Sequence, residues 1–299
     1  MKVVSQPRIP ARVKSVVSIS TRARIVFLCF AVLLSLASCT TPDAVSKFCG
    51  AGVSTLTSAT PVFDDMKQSC VREVNSRQQF GAFTPPLKTD PNCTAIGDQA
   101  EGAKAAAKLL ADYFSAINSL ASFGTAKAGT DAQNLAAKTG AAVGANSKAQ
   151  TALGSIAQFL VSDIASGYRQ KQLDNDLAKV SGNVSAVVAA LIRIIQDDYV
   201  GRQLASEEQK LADRYKEFAK DKSPETLLLL DDRWNGDEQS LEGKRASAQS
   251  LISALQALSK GFVELAGNAR HLKSKDVPAL LEPYIDQVQT LIPQIQKAY

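Results

Sequence analysis

Aromatic side chains make up only 6% of this 299-residue chain, and it holds one histidine and one tryptophan. A lone histidine, His271, leaves a metal centre built on several imidazoles without ligands. A Ser-His-Asp triad would have to be assembled around that same position. No two cysteines have the CxxC spacing of redox or zinc motifs. No phosphate-binding glycine loop, dinucleotide fingerprint or nucleophile elbow occurs. The apolar–polar alternation of half-buried strands is nearly absent. These absences point away from an enzyme: no catalytic residue, metal or cofactor is expected. They also point toward an all-α fold.

What the chain does have begins at its N-terminus. The first 24 residues carry six basic side chains and no acid: Lys2, Arg8, Arg12, Lys14, Arg22 and Arg24. The uncharged run "IVFLCFAVLLSLAS" follows, 14 residues long. A basic segment followed by an apolar one of this length is the pattern of a secretory signal. A helix that spans a bilayer needs about 20 apolar residues, so the run is short for a permanent anchor.

The run ends in Leu36, Ala37, Ser38 and Cys39. This "LASC" resembles the lipobox of bacterial lipoproteins. The resemblance implies a diacylglyceryl thioether on the Cys39 sulfur, cleavage between Ser38 and Cys39, and in most diderm bacteria acylation of the new Cys39 amine. It makes residues 1–38 a cleaved signal peptide and membrane lipid the first partner of the mature chain. Each buried methylene contributes about 0.8 kcal/mol, and stable anchoring takes more than one chain. Thr40, rather than aspartate, follows the cysteine. In enteric-type lipoproteins that residue type favours the outer membrane, with the protein facing the periplasm.

Removing residues 1–38 changes the electrostatic reading. The whole chain has formal charge +5, but the remainder has 28 basic against 29 acidic side chains. No basic surface for nucleic acid survives this recount. Cys49, Cys70 and Cys93 remain besides Cys39. An oxidising compartment favours a disulfide. The preferred pair is Cys70 with Cys93, closing the proline-containing loop around residues 83–92; Cys49 with Cys70 is the second choice.

Helical spacing recurs along the rest of the chain. "TPDAVSKF", "TPVFDDMK" and "SPETLLLL" each place a hydroxyl residue, a proline and early acids as a helix start would. A polar, proline-rich loop is expected over 81–97, then a helix over 99–123 with Leu109, Leu110, Tyr113, Phe114, Ile117 and Leu120 inward. Small residues dominate 124–150, including the GxxxG pair Gly140 and Gly144. The stripe resumes at Leu153, Ile156, Leu160, Ile164 and Tyr168. The longest helix is expected over 173–220, where Leu177, Val180, Val184, Val187, Leu191 and Ile194 keep a heptad-like spacing that slips at "QDDYVGRQ". Further helices are expected over 237–272 and from Val277, the last carrying Pro283 and Pro293.

Three features come nearest to chemistry. The acidic doublets Asp64–Asp65, Asp197–Asp198 and Asp231–Asp232 read as helix-end or solvated charges, because adjacent helical residues do not face each other. "DDRWNGDEQSLE" partly fits a calcium loop through Asp231, Asn235, Gly236 and Glu242. Arg233 and Glu238 break the pattern, so a helix stop at "NG" is the better reading, with Trp234 plugging the bundle there. Residues 183–195 form the most apolar stretch after the signal; it contains Arg193 and is too short to span a bilayer. Core burial is its expected fate.

The combined expectation is an elongated antiparallel helical bundle with one or more long coiled-coil-like helices. Residues 39–97 would form a lipid tether with short helices and a cysteine-containing loop, and 98–299 the bundle. The function expected is that of a non-enzymatic envelope lipoprotein, a scaffold or accessory subunit with an envelope protein partner. A lipid or small-molecule carrier, or a helical pore-forming protein, is the alternative.

Overall fold

The computed structural model describes residues 41–77, 85–121, 132–139, 147–163, 170–272, 274 and 276–299. Ser38, Cys39, Gly140, Gly144, Ile164 and Tyr168 lie outside the described residues. Among the described residues there is no strand, and the fold is an all-α helical bundle.

The helices are α1 (Thr41–Ser58), α2 (Thr60–Ser76), α3 (Thr94–Ala121), α4 (Ala132–Lys138), α5 (Ser147–Gln158), α6 (Gln170–Arg193), α7 (Ala205–Ala219), α8 (Pro224–Gly267) and α9 (Asp276–Gln296). A π-helical stretch, Ile194–Leu204, links α6 to α7 without a break. Short 3₁₀ turns precede α3 and follow α8. α1 lies against α3 and α9, α8 against α9 and α6, and α2 against α3 and α7.

Among the described residues, the stripes named from the sequence are buried. Leu109, Leu110, Phe114 and Ile117 of α3 are wholly enclosed, as are Val184 of α6 and Leu255, Leu258 and Phe262 of α8. Each such side chain contributes roughly 1.5–3 kcal/mol by leaving water. At the centre, Phe48, Tyr113, Phe114, Phe159 and Phe262 meet edge to face, with ring centroids 5.4–6.1 Å apart. This geometry sets the positive ring edge of one residue on the negative face of another. Gly261 lets α8 approach: a Cβ there would lie 2.5 Å from Phe48 Cε2.

The heptad slip at "QDDYVGRQ" has a structural counterpart. The π turn absorbs the extra residues, so the apolar seam continues from Ile194 and Ile195 to Leu204.

Several expectations are corrected. The boundary at residue 97 disappears: α1 and α2 supply Phe48, Leu56, Phe63 and Met66 to the same core as α8, and Thr40–Tyr299 is one compact unit. The short N-terminal helices are amphipathic, and the bundle is where their apolar faces can be buried. Thr60 is not an N-cap. Ala59 precedes α2 in helical conformation, and its carbonyl accepts from Phe63 N, so the backbone continues almost unbroken from α1. Ser223 does cap α8, accepting from Thr226 N at 3.4 Å. α3 starts at Thr94, after Asp90 has capped the turn Pro91–Cys93.

The largest correction is at "NG". α8 runs through Asn235 and Gly236 for 44 residues, about 66 Å at 1.5 Å per residue. A glycine within a helix costs up to about 1 kcal/mol relative to alanine. Pairing with α7 outweighs that: Tyr215 stacks edge-on to Trp234 at 5.5 Å and donates to Asp237 Oδ2 at 2.8 Å, and Arg245 reaches Glu208. Trp234 is therefore half-buried between two helices rather than a core plug. Asp231 and Glu242 sit about 16 Å apart along the helix, which rules out one calcium ion between them.

Candidate functional site

The acidic doublets lead to the most organised polar site. On α2, Val62, Phe63, Met66 and Cys70 face the core, while Asp65, Ser69 and Arg72 form a polar row beside them. Asp64 points outward to Lys104 at 2.6 Å, but Asp65 is buried. Expecting solvated charges at this doublet was therefore right for one residue and wrong for its neighbour.

Arg72 donates to Asp65 through two parallel bonds of 2.8 Å. Its Nε reaches Glu207 Oε1 on α7, and Nη2 reaches Oε2 at 3.0 Å. Ser69 donates to the same Glu207 Oε2 at 2.6 Å. Lys244 of α8 lies 3.2 Å from Asp65 Oδ1. Tyr199, placed by the π turn, donates to Asp65 Oδ2 at 2.7 Å. Its single proton is thereby committed, so Tyr299 donates to the Tyr199 oxygen at 2.9 Å.

Two cations and two carboxylates share this site, so its formal charge is zero. Burial works against the Asp65 carboxylate, but Arg72, Lys244 and the Tyr199 hydroxyl overcome it and hold its pKa below the usual value. Burial also opposes the Arg72 cation, and hydrogen bonds to Glu207 and Asp65 raise its pKa despite that. Burial, then the neighbouring Tyr299 and Asp65, push the Tyr199 phenol well up. Each oxygen of Asp65 already holds two donors. The cluster supplies fixed charge and fastens α2, the π turn, α7, α8 and the last residue to one another.

The doublet Asp197–Asp198 behaves alike. Asp198 is buried, accepts from Gln99 Nε2 of α3 at 2.6 Å and pairs with Arg202, while Asp197 is exposed. Near the same stretch, Gln203 Oε1 is buried with no hydrogen-bond partner among the described residues. Asp231 and Asp232 are both exposed.

Two surface grooves adjoin the charged cluster. One of about 270 Å³ is lined by Arg72, Glu207 and Lys244 together with Leu211, Arg214 and Asp237. The other, about 310 Å³, lies between α7 and α8 and shares Leu211, Arg214 and Asp237 with the first. In it, Asp237 and burial raise the Tyr215 phenol to about 12, with burial the larger cause.

Cys70 and Cys93 are joined by a disulfide, with Cα atoms 5.8 Å apart. Val71, Val74 and Ile96 pack around it. Cys49 is free and buried, and burial pushes its thiol far above the ordinary value. His271 is exposed in the 3₁₀ turn after α8, where its carbonyl accepts from Ser274 N at 2.7 Å. Among the described residues no group of three or more His, Cys, Asp or Glu side chains is placed to hold a metal ion.

Sequence reasoning missed Arg72, Glu207, Tyr199, Lys244 and Tyr299. The available signal was the spacing of Asp65, Ser69 and Arg72, four and three residues apart, which aligns them on one side of a helix. No family model, no curated protein and no solved structure matches this chain.

Proposed function

We propose that the protein is a non-enzymatic envelope lipoprotein, held at a bilayer by lipid on Cys39, whose helical bundle serves as a scaffold or accessory subunit for another envelope component. The observation that carries this reading is the basic segment, apolar run and "LASC" preceding Cys39. The first described helix begins at Thr41, on the C-terminal side of the proposed cleavage site. The Cys70–Cys93 disulfide suits an oxidising compartment such as the periplasm. An acylated Cys39, two residues before Thr41, would hold that end of α1 within about 7 Å of the lipid-bearing residue. The outer membrane is the proposed location.

Mass spectrometry of the native N-terminal peptide tests the reading. A diacylglyceryl-modified Cys39 at the mature N-terminus is the expected result. An unmodified thiol, or a chain that keeps residues 1–38, overturns it.

One observation favours the pore-forming alternative. The helical course Leu177–Ala219 is long and apolar enough to cross a membrane, with a mean hydropathy of 1.5 in its most apolar window. Of that window 44% is buried inside the unit. Dye release from liposomes decides between them: leakage supports pore formation, and intact vesicles leave the scaffold reading.

A further inference from the structure

The groove of about 310 Å³ between α7 and α8 holds two arginines that the bundle does not use. Residues three and four apart share a helix face, so Leu211, Arg214 and Phe218 of α7 line one wall, and Leu230, Arg233 and Asp237 of α8 the other. The Arg214 guanidinium lies over the Phe218 ring, 5.5 Å from its centroid. That contact fixes the guanidinium and leaves the N–H groups at its edge for another partner. Neither Arg214 nor Arg233 makes an ion pair or a side-chain hydrogen bond among the described residues. Both act inside the groove all the same: burial and then Asp237 raise the Tyr215 pKa, and the two guanidinium charges oppose that rise.

The charges around the two arginines are already matched. Asp237, the one acid lining this groove, accepts from the Tyr215 hydroxyl at 2.8 Å. In the adjoining groove Arg72 pairs with Asp65 and Glu207, and Lys244 with Asp65. On α7, Lys210 pairs with Asp213, Glu208 with Arg245, and Glu217 with Lys220. The groove is left with two cations against one acid, and with guanidinium donors that have no acceptor. We propose that it binds a small organic oxyanion, a phosphate or carboxylate held by Arg214 and Arg233, with an apolar portion against Leu211, Phe218 and Leu230.

A guanidinium fits either group through paired N–H···O bonds. The volume suits a small molecule, and the mixture of apolar wall and few polar groups is that of a ligand pocket. The headgroups of an anionic bilayer are the poorer source of the oxyanion. Residues 216–232, which form the hairpin tip, hold five acids (Glu217, Asp221, Glu225, Asp231 and Asp232) against three lysines (Lys216, Lys220 and Lys222). That balance repels a negatively charged surface, whereas a small anion has only to enter the groove. The site does not depend on lipidation at Cys39.

Isothermal titration calorimetry of the purified protein with phenyl phosphate and with benzoate tests the proposal, and the two probes separate phosphate from carboxylate. The expected result is one-to-one binding of at least one probe with Kd below about 1 mM, weakening as salt is raised. Phenol and inorganic phosphate each carry only one part of the chemistry and should bind at least about tenfold more weakly. Arg214→Gln with Arg233→Gln should lower the affinity at least about tenfold, with the circular dichroism unchanged. Asp237→Asn removes the opposing charge and should raise the affinity. Binding that survives loss of both arginines overturns the proposal, as does a protein that binds neither probe at about 10 mM. Association with phosphatidylglycerol vesicles without binding of either soluble probe does the same.

Discussion

Asp65 and Arg72, seven residues apart on α2, face each other through two parallel 2.8 Å hydrogen bonds inside the bundle. The arginine is also the link to α7, through Glu207. Breaking one partner of a buried pair leaves the other charge without compensation, which typically costs 3–5 kcal/mol. Asp65→Ala should therefore destabilise the protein by about 3 kcal/mol, and urea titration of the variant checks it. A loss below about 1 kcal/mol would mean the cluster is solvated in solution.

The same pair sets an acid limit. The folded Asp65 pKa is lowered, while the unfolded value is about 3.9. Between the two, the unfolded chain binds more protons, so stability rises with pH through that window. The contribution is fully present above about pH 4 and is lost as pH falls through the depressed folded value. Urea midpoints measured from pH 6 down to pH 2 should show this fall, and Asp65→Asn should remove part of it.

Gly236 provides a test of the continuous α8. It lies within the helix, and a Cβ there meets nothing within 4 Å. Gly236→Ala should raise stability by about 0.5–1 kcal/mol through helix propensity. A loss of stability would instead indicate a turn at this position.

Gly261 should respond in the opposite direction. An alanine Cβ would collide with the Phe48 ring at the centre of the aromatic cluster. Overpacking of this kind typically costs 1–3 kcal/mol. Thermal melting of Gly261→Ala, read beside Gly236→Ala, separates close packing from propensity, since the two substitutions are chemically identical.

The Cys70–Cys93 disulfide closes a loop with a sequence separation of 23. The chain-entropy relation assigns such a loop about 3 kcal/mol of stabilisation. Cys70→Ser with Cys93→Ser should lower stability by that order while leaving the far-UV circular dichroism helical. A double variant as stable as the parent would mean that Val71, Val74 and Ile96 hold the loop without the bond.

The helices were legible because their signal is local. Leu109, Tyr113, Phe114 and Ile117 repeat at helical spacing whatever surrounds them, and the slip at "QDDYVGRQ" marked where the pitch had to change. The site was less legible. Nothing adjacent to Asp65 says that it turns inward while Asp64 stays in solvent. That choice belongs to Glu207, Tyr199 and Lys244, all more than 130 residues away in sequence.

The amino-acid order by itself determined the all-α class seen among the described residues and which stripes are apolar, because periodicity is written in residues three and four apart. Only the tertiary structure decided that α8 passes through Asn235–Gly236, that α1 and α2 join the bundle, and that Asp65 and Asp198 are buried while Asp64 and Asp197 are exposed. At Gly236 the helix and its alternative differ by about 1 kcal/mol, and contacts with distant helices select between them; the other two choices likewise rest on partners far away in sequence.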